Sequence, residues 1–78
     1  MQSTPKSAAS IRIEFELMVR KMKEEGWSAS RRADGFSRFG RSHAADYECA
    51  ESPEEKKEIY NIVSVSLLES RHLREQKL

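Results

Sequence analysis

The strongest local signal in the chain is the segment Ser52-Pro53-Glu54-Glu55, which predicts that a helix begins there. Serine is favoured at the N-cap of a helix, proline at the first helical position, and glutamate three residues after the cap. The acidic residues of this first turn, and Arg71 and Arg74 near the other end, match the two poles of the helix dipole. We therefore expect a C-terminal helix that runs from this segment towards residue 74.

The apolar residues of this C-terminal helix divide into two sets. Val65 and Leu68 predict a second contact face, because they lie outside the main apolar arc. A chain of 78 residues has a small core with little stability in reserve. We therefore expect that two copies can associate as a homodimer through the C-terminal helix. At 100° per residue, the main arc of about 160° predicts the buried face: Ile59, Tyr60, Ile62, Val63, Leu67 and Leu73.

Apolar residues also recur at helical spacing near the start of the chain. Ala8, Ile11, Phe15, Met18 and Met22 would share one face of a helix. The alternation of apolar and charged residues over 11–17 is also typical of a half-buried strand. The helical pattern runs longer, however, and the Lys/Glu/Met-rich segment that follows has little strand propensity. We therefore favour an N-terminal helix over a strand.

The end of this N-terminal helix is predicted at Gly26. Glycine commonly adopts the left-handed conformation that ends a helix, and an apolar residue just after it often folds back on the last turn. Trp27 is expected to do this against Met22. We accordingly interpret Trp27 as a core residue and not as an exposed binding aromatic.

The middle of the chain is predicted to form a small antiparallel sheet. Asp34-Gly35 is among the strongest two-residue hairpin turns, and it would join a strand over 27–32 to a strand over 36–41. Ala45, Tyr47 and Cys49 alternate with charged residues, which suggests a third short strand.

The predicted fold class is therefore α+β, with an N-terminal helix, two or three short antiparallel strands and a C-terminal helix. A mostly α-helical fold with an irregular middle segment is the alternative. We expect one small domain at residues 8–74, a disordered tail at residues 1–7 and a frayed C-terminus at residues 75–78.

Residues that commonly carry catalysis or bind metals are scarce and poorly spaced. His43 and Cys49 would lie about 20 Å apart on a strand, and nearly two turns apart on a helix, so neither arrangement activates the thiol. One cysteine and two histidines do not supply the paired ligands of a zinc site. The three glycines are too widely separated for a phosphate-binding loop. We therefore predict no enzyme activity, no metal, no cofactor and no small-molecule substrate.

Two features bear on location in the cell. No apolar run approaches the roughly 18 residues that a membrane span requires. The single cysteine excludes an internal disulfide and fits a reducing compartment. The sequence therefore predicts a cytoplasmic protein that does not contact a membrane.

The charges are distributed unevenly along the chain. The formal net charge is +1, but residues 28–43 carry +3 and residues 44–58 carry −4. A surface with two signs of charge suits docking in a defined orientation. The candidate contact residues all belong to the predicted hairpin: Arg31, Arg32, Phe36, Arg38, Phe39 and Arg41.

Two functions agree with this basic hairpin. The first is a small non-enzymatic module that docks on a larger macromolecular partner, such as a protein with acidic patches, as its regulator or inhibitor. The second is a nucleic-acid-binding module whose arginines contact phosphates and whose phenylalanines stack on bases. We prefer the first, because a near-neutral total charge is unusual for a free-standing nucleic-acid binder.

Overall fold

The computed structural model describes residues 6–76, and over this range the chain is helical and contains no β-strand. Three helices are long: α1 (Ala8–Glu25), α2 (Ala29–Ser42) and α4 (Pro53–Glu75). A short helix, α3 (Ala44–Cys49), connects α2 to α4. The predicted α+β fold is therefore wrong. The irregular middle segment of the alternative is wrong as well, because the residues assigned to the sheet form α2 and α3.

A serine caps the N-terminus of each long helix. Serine is favoured there because its side-chain oxygen can satisfy a backbone N–H that has no partner within the helix. The hydroxyl oxygen in each case accepts a hydrogen bond from the backbone N–H three residues later: Ser7 from Ser10 at 3.2 Å, Ser28 from Arg31 at 3.2 Å, and Ser52 from Glu55 at 3.0 Å.

The helix start predicted at Ser52 is confirmed, with one difference. Ser52 is the N-cap and Pro53 is the first residue of α4. In a capping box, the glutamate returns a hydrogen bond to the N–H of the cap residue. The carboxylate of Glu55 instead accepts a hydrogen bond from the backbone N–H of Ala8. Glu55, in the first turn of α4, therefore also supplies a hydrogen-bond acceptor for the first turn of α1.

The N-terminal helix is confirmed, including residues 11–17, and it ends as predicted. Gly26 has φ 64° and ψ 45°, which is the left-handed conformation. The N–H groups of Gly26 and Trp27 donate hydrogen bonds to the carbonyl oxygens of Lys23 at 3.3 Å and Met22 at 3.0 Å. Trp27 is half-buried against the core cluster that contains Met22. This is the fold-back expected of a Schellman motif.

The predicted hairpin is wrong because Asp34-Gly35 lies in the middle of α2. A hairpin turn of this kind requires positive φ at both residues, but Gly26 alone has a positive φ among the described residues. Burial of one helical face outweighs the local turn preference, because most helical stability in proteins comes from packing. That face consists of Ala33, Phe36, Ser37, Phe39 and Gly40.

The predicted third strand is also wrong, because its residues form α3. Tyr47 is half-buried and lies beside Tyr60, with ring centroids 6.0 Å apart, whereas Ala45 and Cys49 are exposed. Alternation over so few residues does not distinguish a strand from a single turn of helix.

The three long helices pack in alternating directions. Ser66 contacts Phe36, and Ser70, further along α4, contacts Ala33, so α2 and α4 are antiparallel. Between these helices and α1 lie two buried clusters, with Phe15 and Met18 packed against both. The first cluster contains Ala8, Ile11, Phe39, Ile59 and Ile62, and the second contains Met22, Ala33, Phe36 and Leu73.

The buried face of α4 differs from the predicted arc. Ile59, Ile62 and Leu73 are buried as expected, but Tyr60 and Leu67 are exposed. Ser66 and Ser70 complete the face instead. Because α2 approaches α4 closely along this stretch, the small serine side chains fit where larger apolar ones would not.

Candidate functional site

The six candidate contact residues separate into an exposed set and a buried set. Arg31, Arg38 and Arg41 are exposed on α2. Phe36 and Phe39 are buried in the core. Arg32 is half-buried, and its Nε is buried without a hydrogen-bond partner among the described residues. The three exposed arginines are therefore the part of the predicted site that a partner can reach.

These three arginines share one side of α2. At 100° per residue, positions 31, 38 and 41 lie within an arc of about 80°, and they extend over about 15 Å of the helix. The opposite side of α2 is the buried face. We call Arg31, Arg38 and Arg41 the arginine face.

Two arginines of this face are held by contacts within the protein. The guanidinium of Arg31 lies 3.9 Å from the centroid of the Trp27 ring, which is a cation–π contact. The indole N–H of Trp27 donates a hydrogen bond to Glu25 at 2.9 Å. Arg41 donates a hydrogen bond to the hydroxyl of Ser37 at 2.7 Å. These contacts restrict side chains that would otherwise lose more entropy on binding.

One carboxylate lies within the arginine face. Asp34 is paired with Arg74 of α4, at 3.4 Å between Oδ1 and the guanidinium nitrogen. Both side chains are more than half exposed, so this ion pair contributes little to stability. The ion pair nevertheless places a fourth arginine, Arg74, beside the arginine face.

A depression of about 570 Å³ opens between α1 and the arginine face. Met18, Trp27 and Phe39 give it apolar walls, while arginines lie at its rim. We call it the α1–α2 depression. The full set of lining residues is Met18, Trp27, Arg31, Asp34, Gly35, Arg38, Phe39 and Ser42.

Both phenylalanines pack in the core, and Phe39 also lines the α1–α2 depression. Phe15 of α1 lies between them, with ring centroids 5.9 Å from Phe36 and 5.4 Å from Phe39. Edge-to-face and tilted pairs at these distances stabilise a core beyond the area that they bury. Neither ring is therefore free to stack on a base.

A second polar cluster, which the sequence pattern did not predict, surrounds the buried imidazole of His43. Its Nδ1 lies 2.7 Å from Asp46 Oδ2, and its Nε2 lies 3.7 Å from Glu14 Oε1. The Lys6 ammonium pairs with Glu14 at 2.7 Å, and the Lys6 backbone N–H donates to Asp46 at 3.0 Å. The spacing of His43 and Asp46 predicts a contact only if this segment is known to be helical, because residues three apart are neighbours on a helix.

The charges of this cluster stabilise one another. Burial by itself would raise the pKa of Asp46, but hydrogen bonds from His43 and from the Lys6 N–H lower that pKa overall. The hydrogen bond with Glu14 raises the pKa of Lys6. Through these contacts the cluster holds the start of α1 against α3.

Among residues 6–76, no group of three or more His, Cys, Asp or Glu side chains is arranged to hold a metal ion. No described helix is both long enough and apolar enough to span a membrane. Val65 and Leu68 are exposed on α4, and self-association through them stays a prediction.

No protein-family model, curated protein or solved structure matches this chain.

Proposed function

We propose that this protein is a small non-enzymatic binding module that docks on a larger protein with an acidic surface, as its regulator or inhibitor. The docking surface is the arginine face of α2. The observation that carries the proposal is the exposure of Arg31, Arg38 and Arg41 on one side of a helix whose other side is buried. Packing fixes the backbone of α2, so the arginines are presented on a rigid support.

The distribution of charge supports docking in one orientation. Beyond the arginine face, α3 and the start of α4 carry an excess of carboxylates. A partner with an acidic patch would be attracted to the arginine face and repelled by this region, and such a pattern favours one pose. The exposed carboxylates concerned are Glu48 in α3, Glu51 between the two helices, and Glu54 and Glu58 in α4.

Three observations favour a protein over a nucleic acid. Phe36 and Phe39, the residues that base stacking would require, are buried. Asp34 interrupts the arginine face, so a continuous row of phosphates would meet a carboxylate that a partner with discrete carboxylates can avoid. The net charge of the whole chain is only +1. These favour a partner with discrete carboxylates over a continuous polyanion.

The test compares two charge-reversal variants in affinity capture from nuclease-treated lysate of the native host. Arg38→Glu with Arg41→Glu reverses two charges of the arginine face. Arg20→Glu with Lys23→Glu reverses two exposed charges of α1 and is the matched control. We expect one or more proteins to be retained by the wild type and the control and lost from the first variant. Each such protein is then purified and titrated directly.

Two results would contradict the proposal. One is a purified partner that binds the arginine-face variant as tightly as the wild type. The other is binding of single- or double-stranded oligonucleotides at about 50 mM salt that depends on Arg38 and Arg41, since phosphate contacts are strongest at low salt. That second result would establish the nucleic-acid function instead.

A further inference from the structure

The α1–α2 depression combines apolar walls with charged groups at its rim. Its volume of about 570 Å³ lies within the range of about 300–1,000 Å³ that is typical of binding sites. Met18, Trp27 and Phe39 contribute the apolar part of its lining. The depression is therefore a place where a large apolar side chain can be removed from water.

Two arginines at the rim of the depression, Arg31 and Arg38, belong to the same helix, so the distance between them is set by helix geometry. Arg31 and Arg38 are seven residues apart, which is about two turns or 10.5 Å along α2. Two acidic residues seven positions apart on another helix have the same separation. A residue midway between those two acidic residues would face the apolar walls.

Arg31 is already positioned for such a contact. Its guanidinium carbon lies 3.9 Å from the Trp27 ring centroid. A guanidinium held over an aromatic ring keeps N–H groups available to bind a carboxylate with two hydrogen bonds. Little ordering is then required when a carboxylate arrives.

We infer that the partner segment is an acidic amphipathic helix. It places two carboxylates against Arg31 and Arg38, and one large apolar residue midway between them in the α1–α2 depression. This inference rests on the proposed function, because it specifies the chemistry of the protein that the arginine face binds. The mode is that of a helix lying in a groove, where apolar anchors supply affinity and charges supply register.

The test uses a labelled synthetic helix of about 18 residues, which is long enough to be helical in isolation. The anchored peptide carries two glutamates seven positions apart and a leucine three positions after the first glutamate, on the same face of the helix. A second peptide has serine at the leucine position, and a third has glutamine at both glutamate positions. Fluorescence anisotropy at about 50 mM salt measures binding to the full chain, because screening is modest there.

We expect the anchored peptide to bind the wild-type protein at least about tenfold more tightly than the serine peptide, as burial of one leucine predicts. Arg38→Glu should weaken binding of the anchored peptide by about tenfold or more. The glutamine peptide should bind the wild-type protein more weakly than the anchored peptide by a similar factor. Arg20→Glu is the control, because Arg20 is exposed on the side of α1 away from Met18.

The outcomes separate this inference from the proposed function. If the serine peptide binds as tightly as the anchored one while Arg38→Glu abolishes both, the depression takes no anchor and the inference fails, whereas docking through the arginine face stands. If no peptide binds but labelled duplex DNA binds and is lost in Arg38→Glu, both fail. If Arg38→Glu leaves every peptide affinity unchanged, the inference fails, and the capture experiment alone decides the function.

Discussion

Ser66 and Phe36 are joined by a hydrogen bond between two helices, in which the serine hydroxyl donates to the carbonyl oxygen at 2.6 Å. One turn further along α4, Ser70 makes the same contact with the carbonyl oxygen of Ala33 at 2.7 Å. Both serines are buried. A helical carbonyl oxygen has a second lone pair, so it accepts these bonds without losing its own helix bond. The pair of contacts holds the arginine-bearing helix at a fixed distance from α4.

Replacement of Ser66 tests this contact. Ser66→Ala removes the hydrogen bond and is expected to lower the free energy of unfolding by about 1 kcal/mol. Ser66→Leu should cost more, about 1–3 kcal/mol or above, because the larger side chain forces the two helices apart. Urea denaturation followed by circular dichroism measures both. Ser64→Ala, at a half-buried position of the same helix, is the control. Equal stability of Ser66→Ala and Ser64→Ala would show that the hydrogen bond contributes nothing.

Gly40→Ala is expected to destabilise the protein although alanine favours helices. A Cβ at Gly40 would lie 2.7 Å from Leu67 Cδ2 and 2.8 Å from Leu67 Cγ, so the leucine must shift. We expect a net loss of about 1 kcal/mol after the gain in helix propensity. The double variant Gly40→Ala with Leu67→Ala should recover part of that loss, and a double-mutant cycle measures the coupling. If the two losses simply add, the clash is absent.

Gly26→Ala is expected to cost about 1 kcal/mol for a different reason. No atom lies within 4 Å of the Cβ that would be added, so the space is open, but φ is 64°. An alanine is strained in this left-handed conformation. Gly26→Asn should be less harmful, because asparagine tolerates the conformation better than other side chains. Thermal unfolding of the two variants compares them, and equal losses would argue against a backbone cause.

The contribution of Asp46 to stability is expected to depend on pH. Because its pKa in the folded protein lies below the ordinary value of 3.8, the unfolded chain binds the proton more readily. The stability supplied by the carboxylate is therefore fully present above about pH 4 and is lost as the pH falls through the lowered pKa. Asp46→Asn should be about 1–2 kcal/mol less stable than wild type at pH 7, and the difference should shrink towards pH 2.

Urea unfolding of wild type and Asp46→Asn at a series of pH values measures this dependence. Glu48→Gln, at an exposed position of the same short helix, should show no comparable loss at pH 7. A difference between wild type and Asp46→Asn that stays constant down to pH 2 would contradict the role of the charged carboxylate.

The start of α4 and the end of α1 could be predicted, because the signal there is local. Ser52-Pro53 and Gly26 act on backbone groups within a few residues of themselves, so their effect is visible in the sequence. The middle of the chain could not be predicted in the same way. Helix α2 owes its burial to α4, and the Ser66–Phe36 contact spans 30 positions. Asp34-Gly35, by contrast, has a strong local preference for a turn, and this preference leads to the wrong prediction of a hairpin.

The candidate site was predictable in composition but not in shape. Arg31, Arg38 and Arg41 stand out in any count of charges. On a hairpin, however, positions 38 and 41 would point to opposite faces, whereas on a helix all three share one side. The apolar depression beside them depends on Met18, which belongs to another helix. The sequence pattern of α2 alone does not indicate it.

The hydrogen bond between Ala8 and Glu55 also affects how the chain folds during its synthesis. During synthesis, the first turn of α1 emerges with its own cap, Ser7, but the carboxylate that accepts the Ala8 N–H is encoded 47 positions later. At about 10 residues per second, that carboxylate is added roughly five seconds afterwards. The first turn of α1 thus gains this acceptor only after the start of α4 has been made, and a nascent chain that stops before α4 lacks the carboxylate that accepts the Ala8 N–H.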